Sequence, residues 1–147
     1  MSRSGNDGAG LSAEEQAALK ETVAERRRTQ QRGGNKKAGE LQDCLDKIAA
    51  LPDPDRVIAE RIHRIVTEAA PELDPKTWYG MPAYSRDGKV LCFFQPASKF
   101  NARYATFGFN DGANIDEGTM WPASWAIMAL TDDDVAKLTE LVRRAVS

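Results

Sequence analysis

The sequence is poor in the side chains that most chemistry needs. Among 147 residues there is one histidine, His63, and there are two cysteines, Cys44 and Cys92. With a single imidazole, every Cys–His or Ser–His nucleophile pair has to pass through His63, and a metal site has to be completed by carboxylates or thiols. His63 falls in a helical pattern beside its apolar face, which reads as a boundary residue. The cysteines stand far apart in apolar surroundings, outside any C-x-x-C or zinc spacing, so both are expected to be buried and reduced. No apolar run approaches the ~18 residues needed to span a bilayer. Residues 1–6, Met-Ser-Arg-Ser-Gly-Asn, lack the apolar core of a secretory signal. A cytoplasmic protein with no membrane partner is the expectation. There is no Walker sequence and no G-x-S-x-G, and Gly8-Ala9-Gly10 follows no strand. These gaps leave no catalytic residue and no metal ligand to assign.

What is present is unevenly spread. Hydrophobic residues make up 41% and charged residues 29%, slightly polar for a globular chain, and the polar excess lies at the front. Residues 1–37 contain one Val, two Leu and no aromatic. The core must come from about residue 41 onward, roughly 105 residues and enough for one domain. The chain therefore divides into a charged, partly disordered extension with one helix, 1–37, and an α+β domain, 38–147. The net charge of −2 names no partner, but its distribution is asymmetric. Lys20, Arg26, Arg27, Arg28, Arg32, Lys36 and Lys37 make the extension basic, and Asp111, Asp116, Glu117, Asp132, Asp133, Asp134 and Glu140 make the C-terminal part acidic. The run Arg26-Arg27-Arg28 has the charge to touch phosphates. No aromatic lies near it for base stacking, which argues against sequence-specific nucleic-acid binding and for a solvated helix face.

Periodicity supplies the elements. Ser12 and Glu15 form a capping-box pattern ahead of strong helix formers at 13–29. The apolar stripe of that helix is thin, Leu19 and Val23, so it frays or docks weakly. Residues 1–10 read as disordered, and 31–37, around Gly33 and Gly34, as a flexible linker. A second helix over 38–50 carries Leu41, Cys44, Leu45, Ile48 and Leu51 on one face. Asp53 is placed to cap a third helix, with Pro54 as its first residue. That helix turns Val57, Ile58, Ile62, Ile65, Val66 and Ala69 inward and stops before Pro71. From Lys76 the texture becomes β-like. Residues 78–84 are aromatic and extended, with Pro82 suited to an edge or bulge. Asp87-Gly88 predicts a two-residue hairpin turn, and 89–95 is apolar on both faces, as in a central strand. Further β-like stretches follow at 103–109 and, interrupted by Pro122, at 119–130, with a turn at Asn110-Asp111-Gly112. Thr131 and Asp134 cap a last helix burying Val135, Leu138, Val142 and Ala145. The order predicts an α+β fold: a helical hairpin, then a curved antiparallel sheet and a C-terminal helix, with an extra N-terminal helix.

The run Ala69-Ala70-Pro71-Glu72, then Trp78-Tyr79-Gly80-Met81-Pro82-Ala83-Tyr84, then Gly88-Lys89 resembles the YdhG-like family of domains of unknown function. Gly108-Phe109 and Gly118-Thr119-Met120-Trp121-Pro122 occupy the places of that family's later motifs, so the resemblance covers roughly residues 40–146. The stretch between Gly108-Phe109 and Gly118-Thr119 is short, which predicts that a helix common in relatives is missing. The resemblance implies a compact α+β fold with a curved antiparallel sheet and no invariant catalytic residue. One branch of the family is discussed as a frataxin-like intracellular iron chaperone.

Two groups of residues are candidates for function. Aromatic and sulfur side chains, Trp78, Tyr79, Met81, Tyr84, Phe94 and Trp121, with Phe107 and Trp125 beside them, have the character of a small-ligand pocket wall. The acidic residues of the C-terminal part offer oxygen ligands for a hard cation or iron, but Asp132, Asp133 and Asp134 fall in a first helical turn, where the helix dipole already favours negative charge. The leading expectation is a non-enzymatic binding module for a small molecule or a protein segment, with no cofactor. The alternatives are an iron-binding chaperone, the one reading that brings in iron, and an adaptor or weak nucleic-acid binder acting through the basic N-terminal helix.

Overall fold

A computed structural model describes residues 12–32 and 35–147, with residues 28–32 described by backbone alone. The disorder expected at 1–10 and the Gly33-Gly34 pair lie outside the described residues, as does the side chain of Arg28. Three helices come first: α1 (Ala13–Arg32), α2 (Lys36–Ala49) and α3 (Asp55–Ala69). Then follow β1 (Asp74–Trp78), β2 (Met81–Arg86), β3 (Lys89–Gln95), a 3-10 turn (Ala97–Phe100), β4 (Ala105–Phe109), β5 (Ser124–Ile127) and α4 (Asp132–Ala145). The five strands form an antiparallel meander in chain order. The fold is α+β with a C-terminal helix, as the element order implied.

Local chemistry accounts for the boundaries. The Ser12 hydroxyl accepts from the Glu15 N–H at 3.0 Å, and the Ser12 N–H donates to the Glu15 carboxylate at 2.8 Å. Thr131 and Asp134 repeat that reciprocal cap on α4. Asp87 and Gly88 both have positive φ, and Arg86 faces Lys89 across the turn, as a two-residue hairpin requires. Four expectations need correcting. The linker at 31–37 is shorter, because α1 continues to Arg32 and α2 begins at Lys36. Asp53 does not cap α3. The helix starts at Asp55, and the Asp53 carboxylate instead accepts from Arg56 at 2.9 Å. Residues 78–84 are not one extended run, since Tyr79-Gly80 turns the chain back between β1 and β2. Pro82 is not on an edge strand. It is the second residue of the inner strand β2, paired with Thr77 on one side, while the ladder to β3 begins one residue later at Ala83. The missing N–H therefore breaks no β2–β3 hydrogen bond.

The core fills one face of the sheet. Tyr84, Cys92, Phe94 and Phe107 are fully buried there, against Cys44 and Ile48 of α2, Ile58, Ile62 and Val66 of α3, and Leu138 and Val142 of α4. Leu41, Leu45 and Val57, expected to point inward, are exposed. The inward stripe of α2 is thus narrower than its sequence pattern, as suits a helix that packs mainly along β1 at the sheet's edge. The one buried carboxylate among the described residues belongs to Asp55, the first residue of α3. Its two oxygens accept the N–H of Ala97 at 3.2 Å and of Ser98 at 2.9 Å. A buried carboxylate is tolerated only when hydrogen bonds replace its hydration. These two bonds do that and clamp the 3-10 turn to the end of the helix. Asp55→Ala is expected to lower unfolding stability by about 2–3 kcal/mol, with Asp55→Asn losing less because one acceptor survives. Urea denaturation checks this, and an unchanged midpoint for the alanine variant would refute the clamp.

Candidate functional site

The aromatic residues singled out from the sequence separate into three places. Tyr84, Phe94 and Phe107 lie wholly within the core. Trp121 and Trp125 are half-buried at the far end of the sheet, where with Ile115, Leu141 and Arg144 they line a hollow of about 360 Å³ against α4. Trp78, Tyr79 and Met81 surround the β1–β2 turn, and the register that pairs Trp78 with Met81 and Ala83 with Phe93 puts Trp78, Met81 and Phe93 on the face opposite the core. The six residues expected to share one site are therefore not brought together. Three of them meet, with two partners that sequence reasoning missed, Phe93 and Phe100.

These side chains line an open recess of about 460 Å³, bounded by Trp78, Tyr79, Met81, Phe93 and Phe100 and covered on one side by Ala18 and Leu19 of α1. That volume is in the range of small-molecule sites. Trp78 packs edge-on to Tyr79 at 5.0 Å and lies 5.3 Å from Phe93. Phe93 rests on Gly108 of the neighbouring strand, where a Cβ would come within 2.6 Å of its ring. Gly108 thus keeps the Phe93 ring flat on the sheet. Tyr79 adopts φ 52, a left-handed conformation disfavoured for a bulky residue by about 1–2 kcal/mol. The tight turn leaves its ring on the rim, 40% exposed.

The turn is also where α1 attaches. The Gly80 N–H donates to the Glu25 carboxylate at 3.0 Å. Glu21 accepts from Lys47 of α2 and from Lys99 of the 3-10 turn, both at 2.6 Å. Burial alone would raise the Glu21 carboxyl, but the hydrogen bonds and charges of the two ammonium groups outweigh it and hold the group below its ordinary value. Gly80, φ 76, faces this ion pair so closely that any Cβ would run into Glu21 and Lys99. On the other side of Trp78 and Tyr79 a charged cleft of about 350 Å³ runs between α1, α2 and β1, lined by Glu25, Arg26, Lys36, Glu40, Asp43 and Lys76. Its walls are mostly charged side chains, and Lys76 already faces Glu40 at 3.7 Å. The recess offers the larger apolar surface.

The remaining candidates are placed as follows. Arg26 and Arg27 are exposed on α1. Among the described residues no three His, Cys, Asp or Glu side chains converge where a metal ion could sit. No helix among them is long and apolar enough to cross a membrane. Cys44 and Cys92 are free and buried. Burial pushes the Cys44 thiol up to about 12 and raises Cys92 further, so neither supplies a thiolate at neutral pH. Tyr84, also raised by burial, has its hydroxyl 2.9 Å from His63 Nδ1. Burial lowers the His63 pKa. Burial thus favours the neutral ring, and in its Nε2–H tautomer Nδ1 accepts from the tyrosine.

No family model, curated protein or solved structure matches the chain, and the chemistry of the site has to come from its own residues.

Two outcomes follow from the buried polar groups. Both thiols should be inert to a disulfide reagent in the folded protein and react together once it is denatured. Fast native labelling of either would contradict their burial. His63 binds its proton less readily folded than unfolded. Its contribution to stability is therefore complete above the unfolded value near 6.5 and lost as pH falls below it toward the lowered folded value. The urea midpoint should fall from pH 7 to pH 5.5, and His63→Gln, which still accepts from Tyr84, should flatten that slope.

Proposed function

We propose that the protein is a binding module, without catalysis of its own, whose small ligand lies in the recess under α1 on the sheet face opposite the core. One observation carries the reading. Trp78, Tyr79, Met81, Phe93 and Phe100 gather around an open apolar hollow, while the core is completed on the opposite face by other rings. Tyr79 remains partly exposed at a strained turn position, an arrangement that folding alone does not require. Flat rings with few rotatable bonds bind an apolar body with little ordering cost. The resemblance to the YdhG-like family supports the reading in so far as its most specific run is the segment that forms this turn.

The neutral fluorophore N-phenyl-1-naphthylamine serves as a probe. Its emission should rise in the presence of the protein. Trp78→Ala or Phe93→Ala should weaken binding by about tenfold, the loss of one good aromatic contact. Trp125→Ala, in the hollow at the other end of the sheet, should leave the affinity unchanged. If Trp125→Ala weakens binding and Trp78→Ala does not, the ligand site is at the far end and this reading is wrong.

A further inference from the structure

The polar contacts that hold α1 have a chemistry of their own. Lys47 and Lys99 come from α2 and from the 3-10 turn, and the Gly80 N–H comes from the first hairpin, so all three donors belong to the packed domain. Their acceptors, Glu21 and Glu25, both come from α1. The Lys99 side chain is only 10% exposed, and an ammonium so enclosed needs an anion beside it. Lys47 and Lys99 each take one oxygen of the same carboxylate, the geometry of a two-pronged carboxylate holder. Among the described residues of the helix that fills it, the one buried apolar side chain is Ala18, and Leu19 and Val23 are 48% and 51% exposed.

The holder adjoins the recess through the chain itself. Lys99 precedes Phe100, and Gly80 follows Tyr79; both aromatic neighbours line the recess. We propose that Lys47 and Lys99 form the anion-binding head of the recess, beside the Gly80 N–H that Glu25 accepts, and that its ligand is a small carboxylic acid with an apolar body. The ligand's carboxylate takes the position Glu21 holds in the closed structure. This rests on the binding reading above and adds the charge and shape of the ligand. Glu21 then acts as an internal competitor. The apolar body lies against Trp78 and Phe93, and α1 moves off its polar anchor as the acid enters. Burial would raise the Glu21 carboxyl, and the two ammonium groups hold it below its ordinary value, so Lys47 and Lys99 favour an ionised carboxyl.

A matched pair of probes separates this from the broader reading: 1-naphthaleneacetic acid and its neutral amide, titrated calorimetrically into the full chain at pH 7 and low salt. The Glu21→Gln variant should bind the acid at least about tenfold more tightly than the unaltered chain, with the amide changed by less than about twofold. In the Glu21→Gln background, Lys99→Gln should return the acid to the affinity of the amide. Lys47→Gln, at a more exposed position, should do the same in part if Lys99→Gln lowers the urea midpoint too far. Equal binding of acid and amide in every variant overturns the anion head and leaves the apolar recess standing. An equal gain for both probes in Glu21→Gln makes α1 a steric cover and overturns the competitor role. If neither probe binds any folded variant, the recess reading itself fails and the anion head with it.

Discussion

The buried carboxylate of Asp55 is the constraint from which the site follows. It sits at the start of α3, in the helical layer, and accepts two backbone N–H groups from the turn after β3. A turn of four residues has too few internal hydrogen bonds to hold itself, and its side chains would otherwise be free to wander. The clamp fixes the turn relative to both layers and thereby places Lys99 and Phe100 at the mouth of the recess. One buried side chain, each oxygen accepting a backbone N–H, thus fixes a loop as part of the wall of the recess. The same bonds make Asp55 costly to replace, because removing it takes the acceptors from the Ala97 and Ser98 N–H groups.

The sheet divides its labour by face. Alternation along β2, β3 and β4 sends Tyr84, Cys92, Phe94 and Phe107 into the helices. It leaves Met81, Phe93 and Gly108 on the other side, where among the described residues only α1 stands over the β1–β2 end. The core needs every ring on its own face, so those rings are not available to a ligand. The rings on the open face are held by contacts among themselves and by the space that Gly108 leaves. The result is a stable platform built independently of the core.

How much of this was legible in the sequence follows from how local each signal is. Both capping boxes, the Asp87-Gly88 turn, the limits of β3 and the buried cysteines depend on a few neighbouring residues, and each appears in the structure as read. The Tyr79-Gly80 turn was hidden because a tyrosine stands where such turns take Asn or Asp, although the glycine beside it was a usable signal. The composition of the site was not legible, since Trp78 and Tyr84 differ in face by strand alternation and a turn, and the register that decides this is a long-range property. Phe93 was visible as apolar but not as outward-facing. The 3-10 turn and the attachment of α1 depend on Asp55, Lys47 and Lys99 meeting partners 26 to 78 residues away, and no local pattern announces such meetings.

The attachment of α1 also explains why a helix so poor in apolar residues has a defined place at all. Helices of this composition are marginal alone in water and gain stability mainly by burying an apolar face. Among the described residues this one buries little more than Ala18, and charge-assisted hydrogen bonds tie it to the domain, from Lys47 and Lys99 to Glu21 and from the Gly80 N–H of the hairpin turn to Glu25. A contact of that kind is specific in geometry and sensitive to competition, since an anion of the right shape competes with Glu21 for the same two ammonium groups. Apolar docking would have been insensitive to such a ligand. A helix anchored by carboxylates over an apolar hollow can be both the cover of a site and the measure of what displaces it.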